Sequence, residues 1–245
     1  MKLIVANLKC NPTTLKEAKF LFNSIRKGLR NFKNVEVVIC PPFIYLPIVH
    51  RSSFKLGAQD CFWEEKGAFT GEISPKMLKN LGVKYVIIGH SERRQILKET
   101  DEMINKKLKA VIKAKLRPIL CIGETEKERK KGKTFQVLKS QIKKALSGIS
   151  SFTVHRSKFI FAYEPVWAIG TGNPCQPKEA KEVLIFLKKI TKQLNNLPTQ
   201  QLILYGGSVN SQNAKDYIEV GFDGLLVGGA SLNPKEFIEI VKSCA

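Results

Sequence analysis

Short apolar runs alternate with longer amphipathic stretches along the whole chain. The runs Leu3–Ala6, Val35–Cys40, Lys55–Ala58, Tyr85–Ile88, Pro118–Ile122, Phe159–Ala162, Leu202–Tyr205 and Gly224–Val227 are nearly all apolar. They lack polar alternation, as parallel strands covered on both faces do. Between them, Leu15–Arg30, Glu102–Ala114, Thr134–Leu146 and Lys178–Leu194 read as helices. In the first, Leu15, Ala18, Phe22 and Ile25 recur at helical spacing, while Lys16, Lys19 and Arg26 lie off that stripe. Asn233-Pro234 predicts an N-cap followed by proline at the first helical position, opening Lys235–Val241. Eight strand–helix units in 245 residues leave about 31 residues each, close to the minimum for such a repeat. The prediction is an α/β fold: a closed (β/α)8 barrel forming a single domain over residues 1–245, rather than an open doubly wound sheet.

Composition narrows the classes. At 43% hydrophobic the chain is no disordered polyelectrolyte, so its +20 formal charge must sit on the surface of a folded body. Such a charge fits a nucleic-acid partner, an anionic substrate or a solvated basic surface. The densest basic run, residues 127–133, holds no aromatic residue for base stacking, so no nucleic-acid partner is expected. Six scattered cysteines without a C-x-x-C pair, and only three histidines (His50, His90, His155), predict free thiols and no metal site; no cofactor is expected. The N-terminal apolar run is too short for a signal peptide, and the stretch Val37–Val49 is interrupted by three prolines. The expectation is a cytoplasmic protein with no membrane partner.

In a (β/α)8 barrel the site is built at the C-terminal ends of the strands. There the sequence places Asn7 and Lys9 after the first strand, His90 after the fourth, Glu164 after the sixth, and glycine pairs after the seventh and eighth. A carboxylate at an apolar mouth is partly desolvated, which suits a general base; pairing with a basic residue is the structural alternative. Ser91 to Arg94 can start a helical turn, whose N-terminus would keep His90 neutral and donating. Gly206-Gly207 and Gly228-Gly229 suit backbone N–H contacts to a phosphate, with Ser208 a further donor, although tight turns alone would also need them. Two nucleotide-like motifs fail: residue 127 is lysine where Gly132-Lys133-Thr134 would need glycine, and Cys175 follows Gly170-Thr171-Gly172 where a glycine would be needed.

Six segments in order, Ala6–Asn11, Gly67–Glu72, Gly89–Arg94, Ala162–Gly172, Tyr205–Asn210 and Val227–Ser231, resemble the triosephosphate isomerase family and its TIM barrel. The resemblance spans residue 3 to about residue 240. It implies interconversion of dihydroxyacetone phosphate and D-glyceraldehyde 3-phosphate through an enediolate. Glu164 would be the base, neutral His90 the electrophile and Lys9 a positive charge. Asn7 would supply a hydrogen bond, and Gly170, Ser208, Gly228 and Gly229 would bind phosphate. A glutamate base beside a neutral histidine is this family's own standard pairing. The resemblance also implies a lid after Glu164, hinged at Pro165-Val166-Trp167, and a homodimer through the loop Cys61–Ile73. Three positions depart from the family pattern: Leu8 stands for Trp, Pro12 for Gly, and Asn173-Pro174-Cys175 for a Lys-Thr-Ala-like second hinge. The rival from the same fold is another phosphate-binding (β/α)8 sugar-phosphate enzyme, which the phosphate loops alone would not separate but the His90 and Glu164 motifs do.

Overall fold

The computed structural model describes residues 1–30, 32, 34–49, 54–149, 159–193 and 201–245. Eight parallel strands close in chain order: β1 (Lys2–Asn7), β2 (Val35–Cys40), β3 (Lys55–Ala58), β4 (Tyr85–Ile88), β5 (Arg117–Ile122), β6 (Ile160–Tyr163), β7 (Leu202–Tyr205) and β8 (Gly224–Val227). Closure comes from β8 returning to β1, with Ile4 opposite Leu225. The described helices are α1 (Leu15–Gly28), α2 (Leu46–Val49), α3 (Pro75–Asn80), α4 (Ser91–Gln95), α5 (Asp101–Lys113), α6 (Glu126–Lys130), α7 (Thr134–Ala145), α8 (Pro177–Lys192), α9 (Ala214–Glu219) and α10 (Pro234–Ser243). The predicted (β/α)8 barrel is the observed fold.

The near-continuous apolarity of the strands has a direct cause, because successive side chains serve two cores. Leu3, Val5, Val38, Cys40, Ile87 and Ile119 are among those that fill the barrel interior. Ile4, Ala6, Ile39, Val86 and Leu120 point outward into the layer shared with the helices. Gly224 marks the tightest strand approach, since a Cβ there would lie 1.8 Å from the Leu3 carbonyl oxygen.

Helix starts follow local chemistry. Thr14 accepts from the Glu17 N–H while Glu17 accepts from the Thr14 N–H, a reciprocal cap on α1. Asn233 accepts from the N–H groups of Lys235 and Glu236 ahead of Pro234, as predicted. Such a cap contributes about 1 kcal/mol.

Some expectations are corrected. The sixth strand runs from Ile160 to Tyr163 and not from Phe159, because the ladder begins where Ile160 faces Ile119; Phe159 is equally buried, so apolarity could not separate them. Leu15 is 50% exposed at the first position of α1, and the buried face is Ala18, Leu21, Phe22 and Ile25. Those four follow the i, i+3, i+4, i+7 spacing of one helix face. The short helices α3, α6 and α9 span only five or six residues, too few for periodicity to reveal. His50, His155 and Leu194 lie outside the described residues.

Candidate active site

All eight candidate residues line one cavity of about 360 Å³ at the C-terminal mouth of the barrel. Glu164 follows β6 directly and is only 2% exposed. Its backbone N–H donates to the Ile122 carbonyl, so its Cα is held almost as firmly as the strand itself. Gly123 and Gly206 make room for it. A Cβ at 123 would lie 1.7 Å from the Glu164 carbonyl oxygen, and one at 206 would lie 3.1 Å from Glu164 Cγ.

Two contacts orient the carboxylate. Oε2 accepts from the Ser91 N–H at 3.0 Å, and Oε1 lies 3.2 Å from His90 Nε2. His90 is the N-cap of α4, and its Nδ1 accepts from the Glu92 N–H at 3.2 Å. A nitrogen accepting from a backbone donor holds no proton of its own. With Nδ1 accepting, Nε2 is the nitrogen placed to donate toward Glu164. Local sequence supplies this donor, because Ser91 to Gln95 forms the helix whose N-terminus presents the Glu92 N–H to Nδ1.

Lys9 sits beyond β1 with φ +52°, a left-handed conformation unusual for a side chain other than glycine. Gln59 Nε2 holds it there by donating to the Lys9 carbonyl at 2.8 Å and to the Cys40 carbonyl at 2.9 Å. Asn7 Oδ1 accepts from the Lys9 N–H at 3.1 Å, which leaves the Asn7 amide N–H2 as a donor. The Lys9 ammonium meets Glu92 Oε1 at 2.5 Å. A Cβ at Gly228 would lie 3.2 Å from Lys9 Cε, so the lysine stem and the glycine loop after β8 are adjacent.

The segment after Glu164, where the resemblance predicts a lid, begins with a turn at Val166–Ala168. Trp167 Nε1 donates to Glu124 Oε1 at 2.9 Å, and the Arg129 guanidinium lies 3.9 Å from the Trp167 ring centroid. Burial pushes the Glu124 carboxyl up from the ordinary range, while the Trp167 and Tyr163 hydrogen bonds pull it down. Gly170 and Gly172 have φ of +71° and +73°. Only the Cβ-free residue adopts that conformation at no cost, and both lie at the lid tip. Ser208 Oγ donates to the Ala168 carbonyl at 2.6 Å, so this hydroxyl joins the lid to the loop after β7. At the second hinge Tyr217 donates to the Cys175 carbonyl at 2.6 Å.

Under α4 lies a buried ion cluster. Lys107 contacts both Asp60 and Glu99, and Arg93 reaches Glu99 at 2.5 Å and Asp60 at 2.8 Å. Burial pushes the Asp60 carboxyl up to about 6; Lys107 pulls it down, Glu99 pushes it up and Arg93 pulls it down.

Glu92, Ser91 and Gln59 hold the site together and had no catalytic or binding role in the sequence reading; Gly206, read there as a phosphate-loop glycine, also makes room for Glu164. Glu92 and Ser91 stood inside the segment after the fourth strand, yet nothing there linked Glu92 to Lys9 across 83 positions. Leu8 is fully buried in the layer between barrel and helices, so it packs within its own chain.

A closed (β/α)8 barrel with a buried carboxylate touching an imidazole, beside a lysine and two glycine loops, defines an acid–base enzyme for a small anionic substrate. The chain belongs to the triosephosphate isomerase family, whose model matches residues 2–244, and it is an isomerase. It is 48% identical to the triosephosphate isomerase of Aquifex aeolicus, with 99% of each chain covered. It is 47% identical to that of Dictyoglomus turgidum, again over 99% of both. The crystal structure of the Bartonella henselae enzyme superposes with a TM-score of 0.86 at 33% identity, covering 99% of this chain and 98% of that one.

Proposed function

We propose that this chain interconverts dihydroxyacetone phosphate and D-glyceraldehyde 3-phosphate, with Glu164 as the proton-transfer base. The observation that carries the reading is the 3.2 Å contact between Glu164 Oε1 and His90 Nε2. It puts a carboxylate and an N–H donor within reach of the same two-carbon unit. Glu164 takes the proton from the carbon beside the carbonyl and returns it to the neighbouring carbon. To do so it exchanges its contact with His90, whose Nε2–H then donates to the two substrate oxygens of the enediolate. The Lys9 ammonium and the Asn7 amide stabilise the negative charge that grows on those oxygens. Gly170, Ser208, Gly228 and Gly229 bind the phosphate from the lid and the loops after β7 and β8. No metal or cofactor enters any step. Lid closure excludes water from the enediolate, a gating role for which this family is itself a standard example.

The test is coupled turnover of glyceraldehyde 3-phosphate by wild type and Glu164→Gln. The variant keeps shape and hydrogen bonding but loses the base, so kcat falls by about 10³-fold or more while KM changes little. An inactive wild type, or a variant keeping most of its rate, refutes the mechanism.

The working form is a homodimer of single-domain chains in the cytoplasm. Supporting the dimer, Ile96 and Leu97 are 71% and 57% exposed beside Lys9 and Cys10, and Phe69 is 43% exposed on the loop 61–73. Apolar groups of this size exposed next to a site are the usual mark of a partner surface. Sedimentation at micromolar concentration gives the dimer mass; a fully active monomer overturns it. For the location, none of the described helices is long and apolar enough to cross a membrane, and the described cysteines are all free thiols.

A further inference from the structure

We propose that the N-terminal mouth of the barrel, opposite the catalytic end, is a second binding site for a nucleoside di- or triphosphate. A cavity of about 740 Å³ opens there, twice the size of the catalytic one and within the range of small-molecule sites. It is formed where β2, β3, β4 and β5 begin and where α1 ends, so it shares no lining residue with the catalytic cavity.

Its charge is lopsided. Arg30, Lys55, Lys84, Lys115 and Arg117 line it, against the single carboxylate of Glu36. Among the described residues, none of Arg30, Lys55, Lys84 and Lys115 pairs with a carboxylate. Glu36 Oε1 is already occupied, accepting from the Tyr85 hydroxyl at 2.7 Å. That hydroxyl accepts in turn from Arg117 Nη1 at 2.7 Å, and the guanidinium lies 5.4 Å from the Tyr85 ring centroid. The buried Tyr85 therefore holds Arg117 in place, with one of its side-chain N–H groups used among the described residues. Five cations around one concavity, with walls of low dielectric, focus a positive potential into it.

The remaining wall is apolar. Leu29, Val35 and Val37 line it together with the half-buried Phe32. A bare inorganic anion would leave that wall unused. A polyphosphate carrying a flat, hydrophobic base uses both. The site is built from side chains at strand starts, so it needs no glycine-rich fingerprint.

The experiment is calorimetric titration of the full chain with ATP at moderate salt, with saturating glycerol 3-phosphate to occupy the catalytic phosphate site. ATP is expected to bind one per chain, about tenfold tighter than inorganic tripolyphosphate, with adenosine weaker than either. Lys55→Glu/Lys84→Glu, at two exposed positions, weakens ATP at least about tenfold and leaves kcat/KM unchanged. The control Lys16→Glu/Lys19→Glu carries the same net charge on the outer face of α1 and changes ATP affinity by less than about twofold. Loss of ATP binding when glycerol 3-phosphate is present overturns the proposal. So does tripolyphosphate binding as tightly as ATP, or an equal loss in the control variant, which would trace binding to overall charge.

Discussion

The two mouths of this barrel solve the problem of charge in opposite ways. At the C-terminal mouth the described charged groups of the site have partners: Lys9 meets Glu92, Glu164 meets the His90 ring and the Ser91 N–H, and Lys107 and Arg93 meet Asp60 and Glu99. At the N-terminal mouth Lys55, Lys84 and Lys115 have no carboxylate partner among the described residues. The difference follows from what each end contains. Loops leaving the C-terminal ends carry helix N-termini and glycines with backbone donors, so a reacting carboxylate can be buried and still satisfied. Strand starts offer only side chains, and long cationic ones stay solvated there. Catalysis needs the first kind of order; loose association with an anion needs only the second.

The sharpest way to break the comparison is His90→Gln. Removing the oriented Nε2–H should lower kcat by about 10²-fold or more with little change in KM, since the donor acts on charge that develops in the transition state. An effect of that size from Lys55→Glu/Lys84→Glu would put chemistry at both ends and dissolve the contrast.

A middle-sized effect concerns the buried ion cluster. Asp60 sits at about 6 in the folded protein against 3.8 ordinarily, so between those values the folded chain binds more protons than the unfolded one. Stability from this group is present at low pH and is lost as pH rises through about 6. Asp60→Asn has no such titration. The stability of wild type relative to Asp60→Asn, from urea unfolding midpoints, should therefore be greater at pH 4.5 than at pH 7.5 by roughly 1–3 kcal/mol. A difference that is flat or rises with pH refutes it.

The smallest effect concerns the lid. Its first hinge is tied to Glu124 and Arg129 through Trp167, while the second contains Pro174, whose ring fixes φ. Pro174→Thr should leave kcat/KM within a few-fold but speed lid opening, measured by relaxation dispersion. Unchanged opening rates would make the proline irrelevant to the lid.

The strand segments were legible because burial on both faces writes the same apolar run eight times, and the ends of those runs pointed to Asn7, Lys9, His90, Glu164 and the glycine loops. The short helices α3, α6 and α9 escaped because fewer than two turns leave no period to detect. Sequence also could not tell where the ladder starts at Ile160 rather than Phe159, since both residues are equally hidden from water.

What the chain determined by itself was therefore the repeat, the class of fold and the residue types at the strand ends. Tertiary structure alone decided which of those residues touch. Barrel closure brings positions 9 and 92, 91 and 164, and 90 and 164 into hydrogen-bond range. These contacts link residues tens of positions apart, with no local periodicity to encode them. Closure also gathers the lone lysines of separate strand starts around one cavity. A basic residue reads the same in sequence whether its neighbour in space is a carboxylate or another cation, and only the folded geometry separates a neutralised charge from an available one.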